Sequence, residues 1–569
     1  MIVRLCMSFC ETKRRDGGAR SGIYAISTAE NIQKTLLFPG AYDMEQIVPG
    51  LLECTYANMP PRLDESEVEK VFEFYDSFSI DPIHPIHPNM PEQARGAIVS
   101  GDIVMTSGWH THLDRAKELV NWITALKKAL PPDVAWYLPA AALPSNLASL
   151  VHAGFDLFDY TAVDLMSAKR IFCLSDGEYS ESVMRDETLG NLCSCPGCAK
   201  GDLKAHNRME LDREAARIRQ RITSQTFREY LDGQCRNAPE LVSLMRVIDK
   251  NYAYCEERTV IARNNRLLAT STDSLIRPEI KRFADRVLTR YIPPHASVAV
   301  LLPCSAKKPY SQSKSHILFQ KAINGRAHEI IITSPLGLVP RELEQVYPAA
   351  HYDIPVTGYW DHEERFLIAQ IVEAYFSKHR YERVIAHLEG DAFEIVKTAF
   401  ENLDIPLERS CFESAGSPIS HENLESLKTA VFGCPKVKNR PVHGMFSYQF
   451  GQELVEPGIE VKGRYPEQMV TKNRRKLFSI DPSGMLRPTF DGWQLIETGY
   501  RVYIDNFIPQ GDILAPGVVD ADPQIREGDE VLVIGSQAMA TGKTVMSADE
   551  MKRSKRGVAI RVRKIKKRA

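Results

Sequence analysis

The chain has 569 residues, 44% hydrophobic and 25% charged, with a formal net charge of −2. That composition excludes fibrous and disordered classes, and the length predicts three or four domains. No apolar run approaches the roughly 18 residues of a membrane span. The start lacks the charged, apolar and cleavage regions of a signal peptide, so the cytoplasm is the expected location.

In chain order, residues 1–275 alternate strand candidates with helices at Glu65–Phe78 and Leu113–Ala129 and an apolar strand at Val134–Leu138. A mostly helical stretch runs from about His206 to Arg290. Residues 276–435 show α/β rhythm, with strands at Ser297–Leu302, Glu329–Thr333 and Arg383–Ala386 and helices at Glu363–Lys378 and Asp391–Glu401. This alternation predicts a parallel sheet with crossover helices and a site at the carboxyl ends of its strands. Residues 436–497 read as a small α+β connector. Residues 498–569, with turns such as Pro516-Gly517 and Glu527-Gly528-Asp529, read as a small β-barrel.

Charge is unevenly spread. From Lys552 to Ala569 the chain carries ten Lys and Arg residues and no acid, and a second cluster is Lys472, Arg474, Arg475 and Lys476. Basic density at one end points to a polyanionic partner, because neutralising phosphates releases counterions. A solvated basic tail is the alternative; the alternation of Val558, Ile560, Val562 and Ile565 favours a strand.

Of twelve cysteines, Cys193, Cys195 and Cys198 fall within six residues and precede His206. Three thiolates and an imidazole suit a closed tetrahedral zinc site, structural rather than catalytic. Surface cysteines near a turn are the alternative, and His206 is the less certain fourth ligand. The C-x-C-x-x-C…H pattern, preceded by Gly154-Phe155-Asp156-Leu157-Phe158-Asp159 and Gly177-Glu178-Tyr179, resembles the zinc half of the tRNA-guanine transglycosylases. The resemblance implies a (β/α)8 barrel and puts Asp159 at the family's nucleophile position. The family's D-S-G-G base clamp has no match in Val99-Ser100-Gly101-Asp102 or Thr106-Ser107-Gly108. The first domain is therefore expected to be a degenerate transglycosylase-like barrel, with Asp159 a structural acid.

The strand Val298–Leu302 leads into Pro303-Cys304-Ser305-Ala306-Lys307-Lys308-Pro309-Tyr310-Ser311-Gln312-Ser313-Lys314-Ser315-His316. Nearby cations enlarge the thiolate fraction of a cysteine, so Cys304 reads as a nucleophile beside Lys307 and Lys308. His316 reads as a proton carrier, and Tyr310 and Ser313 as hydroxyl donors to a developing charge. A basic loop that contacts phosphate, with Cys304 a bystander, is the competing reading. Glu389 and Asp391, at a strand end, are candidates to hold an amine donor, as are Asp361 and His362; each also suits a helix cap.

The fourteen residues fit P-C-x-x-x-K-P-Y-x-x-S-x-x-H, which resembles the archaeosine synthases, paralogues of archaeal tRNA-guanine transglycosylases. The run Gly511–Val519 and Gly528–Ile534 resembles a PUA domain, which implies binding to structured RNA. The resemblance implies four parts: 1–275 transglycosylase-like with zinc, 276–435 catalytic, 436–497 connecting and 498–569 PUA. It also implies amine addition to the nitrile of a cyano-deazaguanine at position 15 of tRNA, with lysine the favoured donor over glutamine- or ammonia-derived nitrogen. On that reading Cys304 forms a thioimidate, His316 protonates the nitrile nitrogen and Lys308 holds the thiolate. No phosphate-binding P-loop motif is present, so no ATP is expected. A downstream enzyme completing archaeosine and a homodimer are left open. Base exchange and non-catalytic tRNA binding are the rival functions.

Overall fold

The computed structural model describes residues 8–27, 33–48, 83–86, 98–106, 115–186, 193–355, 359–438 and 441–568. The helix expected at Glu65–Phe78 lies outside these residues. Among the described residues no helix is long and apolar enough to cross a membrane.

The first domain opens with an antiparallel meander of Phe9–Asp16, Ala19–Ser27 and Gln33–Phe38. Behind it five parallel strands lie in the spatial order Gly40–Tyr42, Leu157–Asp159, Ala135–Leu138, Ile103–Thr106, Ile83–Ile86. Ile103–Thr106 and Ala135–Leu138 are buried at every position, as expected where both faces of a parallel strand are covered. These five strands are what the described residues contain of the expected barrel. The helix Ala116–Ala129 buries Leu119, Val120, Ile123 and Leu126, one face at helical spacing.

The helical stretch resolves into Leu203–Thr223, Phe227–Gln234, Pro239–Lys250, Tyr252–Arg258 and Pro278–Thr289. A buried charge cluster ties the last of these to the meander. Arg263 bonds Asp16 and Glu279, each at 2.6 Å, and Arg277 bonds Glu229 at 2.9 Å and Glu279 at 3.0 Å.

The central sheet has the order Gly337–Pro340, His328–Thr333, Val298–Pro303, Arg383–Ala386, Leu407–Arg409. The last four strands are parallel, and Gly337–Pro340 turns back against His328–Thr333. The three strands expected from sequence appear within a residue of their positions, as do the helices His362–Lys378 and Gly390–Phe400. The carboxyl ends of the parallel strands form one edge, leading into Cys304, Ser334, His387 and Ser410.

After the helix Pro441–Phe450 comes a four-stranded antiparallel sheet, Glu460–Arg464, Glu467–Lys472, Arg475–Ile480 and Leu486–Pro488. The basic cluster there is a hairpin tip: Asn473 and Arg474 both take positive φ, 48° and 66°, as a two-residue hairpin turn of the mirror-image type demands.

The C-terminal domain is a six-stranded, nearly closed sheet in the order Ile513–Leu514, Val558–Lys567, Ala538–Thr544, Glu530–Ile534, Arg501–Ile504, Val518–Ala521. The basic terminus is thus a ten-residue strand paired along one side with Ala538–Thr544 and, at its start, with Ile513–Leu514 on the other, not a free tail. One hydrophobic core runs without a break from Ile261 and Phe283 through Phe446 and Trp493 to Val531 and Ile560. The C-terminal domain also grips the first: Arg526 bonds Glu256 at 2.7 Å, the Lys555 backbone N–H donates to Asp133 at 2.7 Å, and Arg15 pairs with Glu550. Removal of residues 498–569 should therefore strip apolar cover from the remainder and lower its melting temperature by more than about 10 °C. An unchanged calorimetric transition in the truncated chain would contradict the shared core.

Candidate active site and metal centre

Cys304 leaves the carboxyl end of the central strand half-buried, its side chain packed against the shared core. Lys308 curls back so that its Nζ lies 3.9 Å from the centre of the Tyr352 ring. Burial pushes the Lys308 ammonium below its ordinary pKa, against the opposing pull of Cys304 and Asp353. Lys308 is thus within electrostatic range of Cys304.

Tyr310 is completely buried, and its hydroxyl bonds Tyr352 at 2.7 Å, which in turn bonds Thr333 Oγ1 at 2.5 Å. It braces the ring under Lys308 rather than facing a ligand. Ser313 caps the helix Lys314–Ile323 by accepting the His316 backbone N–H at 3.2 Å.

His316 is completely buried and both ring nitrogens are engaged. Arg341 can only donate, so Nδ1 accepts from its Nη2 at 2.8 Å, which leaves the proton on Nε2 to donate to the Pro303 carbonyl at 3.0 Å. Burial and the adjacent Arg341 push its pKa down to about 3. The imidazole is neutral and holds the peptide immediately before Cys304.

Arg341 was invisible as a site residue in the sequence. Its guanidinium also bonds Glu329 at 2.6 Å and Glu344 at 2.8 Å, and Glu344 accepts the Ser311 backbone N–H at 2.8 Å. Two carboxylates, one imidazole and the middle of the motif loop therefore share one cation.

Glu389 is exposed at the start of the helix Gly390–Phe400, and Asp391 pairs with Arg365 at 2.6 Å. Asp361 forms a capping box with Glu364.

In the first domain the donor atoms of Cys193, Cys195, Cys198 and His206 all lie within 4.8 Å of one another. His206 Nδ1 faces the Cys195 and Cys198 sulfurs at 3.4 and 3.3 Å. Zinc–sulfur bonds of about 2.3 Å put tetrahedral ligand edges near 3.8 Å, so the set fits zinc. Gly197 is required by the close approach of the helix: a Cβ there would lie 2.5 Å from the His206 backbone nitrogen. Asp202 caps that helix, Leu203–Thr223, and Asn207 on it clasps the strand Ile171–Leu174 through Cys173 N–H and the Ile171 carbonyl, each at 2.8 Å. A metal here would pin a loop, a helix and a strand together.

Asp159 accepts from Tyr137 Oη at 2.7 Å, Ala140 N–H at 2.9 Å and Thr161 N–H at 2.8 Å. Both oxygens are committed to structure. Asp102 precedes its strand, at the end away from a barrel's active face, and accepts from Val99 N–H at 2.8 Å. Ser107 and Gly108 lie outside the described residues.

Three families match parts of the chain: Queuine tRNA-ribosyltransferase over residues 86–240, a domain of unknown function (DUF5591) over 280–431, and the PUA domain over 502–566. Archaeosine synthase subunit alpha of Methanosarcina acetivorans is 39% identical over 514 residues, covering 84% of this chain and 81% of that protein. The chain belongs to the archaeosine synthase family. Archaeosine synthase of Haloferax volcanii is 36% identical, covering 82% of this chain and 83% of its own. The tRNA-guanine(15) transglycosylase of Methanothermobacter thermautotrophicus is 25% identical, covering 79% and 69%. The protein is thus a transferase-like enzyme of tRNA modification with an RNA-binding PUA domain.

Two outcomes test the site. Cys195→Ser should lose bound zinc and melt lower, because metal binding energy is folding energy at such sites; metal analysis with calorimetry checks it, and loss of metal without loss of stability would refute it. For His316, the unfolded chain binds a proton below the ordinary 6.5 while the folded chain resists until about 3. Its contribution to stability is thus complete above pH 6.5 and lost as pH falls toward 3. Chemical unfolding across that window should show His316→Gln with a shallower pH slope than the parent.

Proposed function

We propose that the enzyme adds a primary amine to the nitrile carbon of a cyano-deazaguanine at position 15 of tRNA, giving an amidine, with Cys304 as the nucleophile. The observation that carries this reading is Cys304 at the carboxyl end of the central strand, within electrostatic range of a partly desolvated Lys308. Its relatives named archaeosine synthase support the substrate.

The steps balance. The Cys304 thiolate forms a C–S bond to the nitrile carbon; one π pair moves to nitrogen, which takes a proton from Lys308. The amine then adds to the thioimidate carbon, the C–S bond breaks, and the surplus amine proton returns to Lys308. Sulfur and base end as they began, so the sequence of steps consumes no ATP. A thiolate suits the nitrile carbon because it is intrinsically very nucleophilic at neutral pH.

The proton work passes from His316 to Lys308, since the imidazole has no free nitrogen and stays neutral. His316, Tyr310 and Ser313 are positioning residues: they set the Pro303 carbonyl, the Tyr352 ring and the helix start. Lysine is the favoured donor, and a second enzyme would convert the amidine adduct to archaeosine. Zinc at Cys193, Cys195, Cys198 and His206 would be structural.

Base exchange is disfavoured by the hydrogen bonds that occupy both oxygens of Asp159. Cys304→Ala should lower amidine formation by at least roughly 10³-fold with tRNA affinity unchanged, and Cys304→Ser nearly as much. Nucleoside mass spectrometry with nitrile-bearing tRNA reads the product, and withholding the amine should leave a tRNA–protein adduct. A fully active Cys304→Ala enzyme would end the covalent mechanism.

A further inference from the structure

A lysine carries its charge on a flexible stem, and holding that stem in one place costs rotamer entropy. Of the two lysines in the motif loop, Lys307 is exposed and Lys308 is half-buried, so only the second is held. Among the described residues no carboxylate pairs with it. Asp353 pulls on its ammonium at longer range, and that carboxylate already pairs with Arg266 at 3.4 Å. What the Lys308 Nζ meets is the face of Tyr352, 3.9 Å from the ring centre. At that separation the ring quadrupole attracts a cation.

The ring is itself fixed from several sides. Tyr352 is 3% exposed, and its backbone pairs in parallel with Leu267–Leu268. Its hydroxyl bonds Tyr310 at 2.7 Å, inside the motif loop, and Thr333 Oγ1 at 2.5 Å. Thr333 gives the ring its register to the cysteine. Pro303 pairs with Ile332 in the parallel ladder, so Cys304 and Thr333 leave adjacent strands about 4.8 Å apart. Burial dominates the proton affinities of Lys308 and Tyr352, and Cys304 contributes to each, which puts the thiol within electrostatic range of cation and ring alike.

A ring differs from a carboxylate as a holder. An acid paired with Lys308 would cancel most of its field at the thiol, because opposite charges at one place offset each other. An aromatic face holds the ammonium while leaving its charge uncompensated.

We propose that Tyr352 is a positioning residue of this site: its ring is the seat that keeps the Lys308 charge beside Cys304, and its hydroxyl pins that seat to the neighbouring strand end through Thr333. Nothing in the fourteen-residue motif marks it, since it lies outside those residues. The proposal rests on the pairing of Cys304 with Lys308 in the reading above and is independent of what Cys304 attacks.

Alkylation of Cys304 by iodoacetamide at pH 7, followed on its own peptide by mass spectrometry in the full-length chain without tRNA, reads the thiolate apart from substrate chemistry. Lys308→Ala should slow it by about tenfold, the effect of one close cation. Tyr352→Leu should slow it to a similar extent, whereas Tyr352→Phe, which loses the same hydroxyl but keeps the ring, should stay within about threefold of the parent. In the Lys308→Ala background Tyr352→Leu should add less than about twofold, because a residue that acts through Lys308 then has nothing to hold. Tyr352→Met, whose side chain fills irregular gaps without a π face, takes the place of Leu if calorimetry shows that variant unfolded. Unchanged alkylation in Lys308→Ala or in Tyr352→Leu, an equal loss in Tyr352→Phe, or a full further loss in the double variant would each overturn the seat. Absence of amidine product with the parent enzyme would sink the nitrile reading and leave these rates as they are. Loss of the seat, in turn, leaves Cys304 standing as the nucleophile.

Discussion

The placement of the strand-end cysteine depends on one buried guanidinium. Arg341 bonds Glu329 on the neighbouring strand, Glu344 beyond its own turn and His316 on the helix that closes the motif loop. Each partner in turn fixes backbone: Glu344 takes the Ser311 N–H and His316 reaches the Pro303 carbonyl. Removing this cation would leave two carboxylates facing each other in the interior, a penalty on the order of 3–5 kcal/mol. The motif's Ser and His are therefore best understood as anchor points for a loop, and its Cys and Lys as the groups that the loop presents.

The same economy of charge governs the basic C-terminal end. Several of the terminal cations are absorbed internally: Arg563 pairs with Glu530, Arg553 with Asp549 at 2.7 Å, and Arg556 lies 4.2 Å over the Phe9 ring. Besides Arg563, the cations exposed on the last strand are Arg561, Lys564, Lys566 and Lys567, with Arg568 just after it. A phosphate backbone would meet that ridge rather than a diffuse tail, and its five cations bound the counterions released. Because the C-terminal domain also completes the core, charge reversal along this strand would test RNA binding apart from folding, whereas deletion confounds them.

Much of this architecture was legible in the sequence because its signals are local. Apolar runs such as Val298–Leu302 mark buried parallel strands, the cysteine spacing marks a metal loop, and the fourteen-residue motif lies on one strand–loop–helix. The short strands Gly337–Pro340 and Leu407–Arg409 escaped notice, being too brief for periodicity to register. Residue roles were harder, for a physical reason. His316 titrates near neutrality in isolation, and only Arg341, 25 residues on, fixes its tautomer and charge. Likewise Tyr310 looks like a donor until Tyr352, 42 residues away, takes its hydroxyl. Asp361 is the reverse case: the sequence allowed a helix cap, and the capping box makes it one.

On the proposed amine addition, nitrile chemistry would explain why such a site needs little acid–base machinery. Addition of an amine across C≡N is redox-neutral and releases nothing, so one proton lent to nitrogen and later recovered closes the cycle. A lysine whose ammonium is weakened by burial is a better lender than a solvated one, because its conjugate base lies closer to neutrality. In the proposed reaction a thiolate at Cys304 would favour the charged form of Lys308, and its consumption in the C–S bond would remove that stabilisation as the proton is needed. Attack by sulfur and release of the proton would thereby be coupled electrostatically. A neutral, doubly bonded histidine is compatible with this scheme, since it braces the loop without adding a competing charge.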